Sequence, residues 1–201
     1  MIDKNEENGS EVRERPWHVF RYRDYRVLWA AMFSASIVTW FRILGTSQWL
    51  LEETGSAAVV GLIGVVQLVV QIPALLWAGA LADRVDRKRL MLLAHGTTAL
   101  TLGGLALLNA QGALTATGVF VGIAITAASG MLASPARSAL VPAVVPSRQL
   151  LAASATDSAS QNVAAIVGPL FFAAISLGSG LTVAFSIAAA LALLAALLPP
   201  L

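Results

Sequence analysis

Gly79-Ala80-Leu81-Ala82-Asp83-Arg84-Val85-Asp86-Arg87-Lys88-Arg89-Leu90 is a dense block of charge set between two long uncharged runs. Six of the seven positions from 83 to 89 are charged, and on either side the charge disappears. No Asp, Glu, Lys or Arg occurs from Thr54 to Ala82 or from Leu90 to Ala136, and a third such gap runs from Ser158 to Leu201. A helix that spans a bilayer needs roughly 20 apolar residues at about 1.5 Å of rise each. The first gap holds one span, and each of the other two holds a helical hairpin. Turn residues divide them at Asn109–Gly112 and at Gly178-Ser179-Gly180. A sixth span lies between Arg26 and Glu52.

Composition agrees. Hydrophobic residues make up 57% of the 201 and charged residues 12%, about half the share of a soluble domain. Mean hydropathy is +0.76. The expected fold class is therefore an all-α membrane protein: a polar tail and interfacial lead-in over 1–26, then a six-helix bundle over 27–201. The helices are expected at 27–51, 57–82, 90–109, 113–133, 158–177 and 181–198. The first is the least apolar. Arg42, Gln48 and several hydroxyl residues nearly cancel the gain from its Leu, Ile, Val and Phe side chains, so it needs the bundle to hold it.

Orientation follows from the cations. Lys4, Arg13, Arg15, Arg21, Arg23 and Arg26 precede the first span; Arg84, Arg87, Lys88 and Arg89 lie between the second and third; Arg137 and Arg148 lie between the fourth and fifth. The alternate connections carry none, which places both ends of the chain in the cytoplasm. Residues 1–15 are polar and lack a signal peptide's apolar core. The cations are accounted for by topology and anionic headgroups, so nucleic acid is not an expected partner; the lipid bilayer is.

Catalysis finds no residues. The chain has two His and no Cys. His18 is in the tail, and His95 has no acid on its own helix. No paired carboxylates stand at membrane depth, and neither a metal nor a cofactor is expected. A transport role finds several candidates. Polar groups at membrane depth are Ser36, Thr39 and Arg42 on the first helix, Gln67 and Gln71 on the second, and Asn162 on the fifth. Fifteen residues lie between Arg26 and Arg42, or roughly 22 Å of helix. Two readings of Arg42 stand at this point: an anchor snorkelling to the outer interface, or a guanidinium facing an anionic or polar solute in a central cavity. Small residues recur every fourth position on helix four, at Gly118, Gly122, Thr126, Gly130 and Ser134, a face suited to close helix contact.

The loop quoted at the outset resembles motif A of the major facilitator superfamily, G-x-L-A-D-R-x-G-R-K-x-x-L. Gly79, Leu81, Asp83, Arg84, Arg87 and Lys88 match in register, while Asp86 stands where the motif has its second Gly. The resemblance implies that Gly79, Asp83, Arg84, Arg87 and Lys88 belong to a conformational latch between two six-helix halves. Ser134-Pro135-Ala136-Arg137-Ser138-Ala139-Leu140-Val141-Pro142 is similar to the loop after helix four in the branch that includes the enterobactin exporter and related drug-efflux proteins. Gly168-Pro169 resembles the helix-five motif G-x-x-x-G-P-x-x-G-G, although Ala164, Phe172 and Ala173 replace three of its glycines.

From this resemblance one expects an inverted three-plus-three repeat. Pro73 and Gly168-Pro169, each in the second helix of its triplet, fit that repeat. The implied function is one half of a secondary transporter in the bacterial inner membrane, exporting a small-molecule solute by alternating access. The superfamily has twelve helices, so the expected partner is a second six-helix half, from the same polypeptide or a second copy. A stranded half that inserts without transporting, or a non-transporting interaction protein, is the alternative.

The Cys-free background makes the topology directly measurable. Single Cys substitutions at position 110 should react with an impermeant thiol reagent in intact cells, and those at 86 should not. The reverse pattern would overturn the orientation.

Overall fold

The computed structural model describes residues 16–82 and 85–198. A 3-10 turn, Pro16–Arg21, leads into five α-helices: α1 Arg23–Thr54, α2 Ala57–Ala82, α3 Arg87–Ala110, α4 Ala116–Val144 and α5 Leu150–Leu197. Among the described residues there is no strand. All five helices are long and apolar enough to cross a membrane.

The count is five where six were expected because no loop separates the two halves of 150–197. The backbone nevertheless breaks at Gly180, with φ 83° and ψ 169°, a conformation open essentially to glycine alone. Phe172 and Phe185 would stand about 20 Å apart on a straight helix. Yet a methyl group on Gly45 would meet the Phe185 ring at 2.8 Å and the Phe172 ring at 3.4 Å. The two arms of α5 therefore lie side by side.

Cross-links give the directions. Tyr25 Oη donates to the Ala153 carbonyl at 3.2 Å, Trp29 Nε1 to Ser160 Oγ at 2.6 Å, and Ser176 Oγ to Gln48 Oε1 at 2.9 Å, so α1 and the first arm run parallel. Asn109 Nδ2 donates to Thr182 Oγ1 at 2.8 Å, and Gly103 faces Ala189, so α3 and the second arm run antiparallel.

Helix ends depart from the apolar boundaries. α4 continues to Val144 and α5 begins at Leu150, each well outside the expected 113–133 and 158–177. Hydropathy marks where lipid begins, not where hydrogen bonding stops; Leu150-Leu151-Ala152-Ala153 are good helix formers. The lead-in differs as well. Instead of only lying at headgroup depth, it folds back: Val19 and Tyr25 are buried, and the Phe20 ring meets those of Tyr25 and Trp29 edge-on at 5.6 and 5.2 Å.

α1 supplies the centre of the bundle, where Phe41, Trp49 and Leu50 pack with Leu102, Ile123, Phe172 and Phe185. Four of its hydroxyls are satisfied within the helix. Ser36, Thr39, Thr46 and Thr54 each donate to the carbonyl four residues back, which lowers the cost of those groups in the span. The second arm of α5 buries Ala184, Ala188, Ala192 and Ala196, small side chains that let neighbouring backbones approach. Gly168 does the same for Trp40, whose Cβ would lie 2.9 Å from an added methyl. On helix four only part of the small-residue stripe makes such a seam. Gly122 sits against Leu105 and Thr101, whereas Gly130 has open space before it.

Gly180→Ala forces a side chain into that backbone conformation and should cost about 1–3 kcal/mol. Gly178→Ala, where a methyl meets nothing within 4 Å, should be nearly neutral. Denaturant titration of the detergent-solubilised chain measures both, and equal effects would contradict the placement of the break.

Candidate functional site

α1 presents Met32, Ser36, Thr39 and Ile43 at intervals of three and four residues, one stripe along the helix. This stripe, with Trp40 and Arg42 beside it, forms one wall of a cavity of about 540 Å³. α3 contributes Met91, His95 and Thr98, α4 contributes Thr126 and Gly130, and the first arm of α5 contributes Gln161 and Asn162. The volume falls in the range of small-molecule sites, roughly 300–1,000 Å³. Four of the five helices converge on it, and the glycine left open on α4 adds to its space.

The lining hydroxyls are committed as donors to backbone carbonyls. Ser36 donates to Met32 O at 3.0 Å and Thr39 to Ala35 O at 2.9 Å. Thr98 donates to Ala94 O at 2.9 Å and Thr126 to Gly122 O at 2.8 Å. Gln161 Nε2 donates to Asp157 Oδ2 at 3.1 Å. Arg42 stands apart: its Nη1 is buried and has no hydrogen-bond partner among the described residues. No Asp or Glu is among the lining residues.

Of the positions singled out in the sequence, Ser36, Thr39, Arg42 and Asn162 are thus brought together. Gln67 and Gln71 are half-buried on α2 and do not line the cavity. From sequence His95 was weighed only as a catalyst and set aside, and Thr98, Trp40 and Gln161 were passed over. The signal that finds them is register, since His95 and Thr98 lie one turn apart on α3, and Trp40 and Gln161 adjoin positions already noted.

At the motif loop, Asp83 and Arg84 lie outside the described residues. Gly79 is exposed with nothing within 4 Å of an added methyl, so none of the described residues packs against it there. Arg87 opens α3, and Lys88 is exposed. Asp86 explains its own departure from the motif. Its carboxylate accepts from the Lys88 and Arg89 amides at 2.9 and 3.3 Å, capping α3, and its φ of −55° asks nothing of glycine. Such a cap contributes about 1 kcal/mol. Gly168 holds Trp40 close, and Pro169 follows it inside α5.

A second polar cluster closes the far ends of the helices. Trp49 Nε1 donates to Asn109 Oδ1 at 2.9 Å, Asn109 continues to Thr182, and Gln48 joins Ser176 to Glu52. Asn109, read from sequence as a turn residue, is a three-helix tie.

Five helices long and apolar enough to cross a membrane, around a partly polar cavity, define an integral membrane protein. The profile of the Major Facilitator Superfamily matches residues 28–201, and the chain belongs to that family, whose members are transporters and not enzymes. Comparison with curated proteins gives no match.

Proposed function

We propose that the chain is the N-terminal half of a secondary active transporter that exports small molecules by alternating access, with the cavity of α1, α3, α4 and α5 as its solute path. The observation that carries this reading is the convergence of Ser36, Thr39, Arg42 and Asn162 on one cavity. Polar groups at membrane depth are costly unless they meet water, solute or one another. The break at Gly180 supports reading α5 as two spans; on this proposal the six spans form an inverted three-plus-three repeat with both ends in the cytoplasm, in a bacterial inner membrane. Export is drawn from the resemblance of Ser134–Pro142 and Gly168-Pro169 to the efflux branch.

A second six-helix half, from the same polypeptide or a second copy, faces this cavity and completes it. Gly79, Asp83, Arg84, Arg87 and Lys88 form the latch at that junction, and the open surface at Gly79 leaves room for a partner helix. A proton-coupling carboxylate, where the assembly uses one, belongs to the second half, because this half lines the cavity with no acid.

The test is energy-dependent efflux in pump-deficient bacteria expressing the complete assembly, with ethidium, Nile red and carboxyfluorescein as cationic, neutral and anionic probes. Retention of at least one dye should fall, and an uncoupler should restore it. Thr39→Trp, which fills the cavity, should abolish efflux with unchanged membrane levels, and Asp83→Asn should impair it. Efflux that survives Thr39→Trp would contradict the cavity as the path.

A further inference from the structure

Resting on the reading of the cavity as a solute site, we infer that its solute is an organic anion, with a carboxylate held by Arg42 and an apolar body against the remaining walls. Three observations converge. Arg42 is the permanently charged group among the described lining residues, and no acid among them offsets it. Arg42 Nη1 is buried without a hydrogen-bond partner among the described residues. A buried donor on a charged group is costly to leave unmade, and an arriving acceptor removes that cost. Finally, the lining hydroxyls are already spent: those of Ser36, Thr39, Thr98 and Thr126 all donate to carbonyls of their own helices.

The guanidinium is therefore the permanently charged donor open to a solute, beside the neutral amide of Asn162 and indole of Trp40. Its planar fork matches the two oxygens of a carboxylate, which a point charge on lysine does not. A cationic solute would meet uncompensated repulsion there. A neutral one would leave Arg42 Nη1 unsatisfied.

Equilibrium binding to the full chain in phosphatidylcholine nanodiscs tests this, with radiolabelled 2-naphthoate and its neutral counterpart 2-naphthamide as probes and empty nanodiscs subtracted. The wild-type chain should hold naphthoate about tenfold more tightly than naphthamide, the size of one charge-assisted hydrogen bond. Arg42→Gln should bring naphthoate down to the naphthamide level, and Arg42→Lys should lose most of the preference. Should Arg42→Gln fail to fold, protection answers in its place: in a Thr39→Cys chain that keeps Arg42, naphthoate should slow thiol labelling and naphthamide should not.

Equal binding of the two probes, or a preference that survives Arg42→Gln, overturns the anion assignment. If Thr39→Trp still expels both probes, the cavity reading stands without it. Binding of neither probe, with no labelling protection, overturns both readings.

Discussion

Inside a bilayer there is no water to hydrogen-bond a peptide group or to solvate a charge. Each unsatisfied group costs several kcal/mol there. Every feature of the chain bears the mark of that constraint. Charges are confined to the ends of spans, backbone groups are satisfied within helices, and the hydroxyls of α1 return their protons to carbonyls one turn back. Under such a rule the buried, unpartnered donor of Arg42 stands out. It is the one charged group kept at depth by α1 itself, and it lies on the face where three other helices leave space.

The second dependence is steric. Lipid tails are as apolar as leucine, so helices in a membrane associate through close packing and not through exclusion of water. Gly45 and Gly168 bring α1 against both arms of α5, and the buried alanines of the second arm remove the bulk that would hold α1 and α3 away. These contacts gather the bundle around α1 on one side and so leave the cavity on the other. The polar tie of Trp49, Asn109 and Thr182 closes the far ends of three helices, fixing the geometry from above as the Tyr25 and Trp29 bonds do from below.

Much of this was legible in the residues. The uncharged gaps located the helices because charge is the group lipid excludes most strongly, and the glycine at 180 marked the reversal because the backbone there takes an angle other residues avoid. Helix ends were less legible: α4 and α5 continue past the apolar region, where nothing in hydropathy distinguishes a helix in water from a loop. For the cavity, Ser36, Thr39, Arg42 and Asn162 were readable as polar groups at depth. His95 and Thr98 were not, because which stripe of α3 faces inward depends on how the helices pack. Gln67 and Gln71 look the same in sequence as the four that converge, yet α2 sits to one side. The role of Asp86 was hidden for a similar reason, since a departure from a family pattern reads as a loss until the cap it makes is seen.

The account turns on the claim that one stripe of α1 faces an aqueous cavity at membrane depth. The most direct measurement is a single-Cys scan of residues 32–46 in native membranes with a small, charged thiol reagent. Reactivity should rise and fall with the helical period, high at 36, 39 and 43 and low at 37 and 41, whose side chains pack in the core. Reactivity confined to the ends of the helix, or equal on all its faces, would show that no such cavity exists.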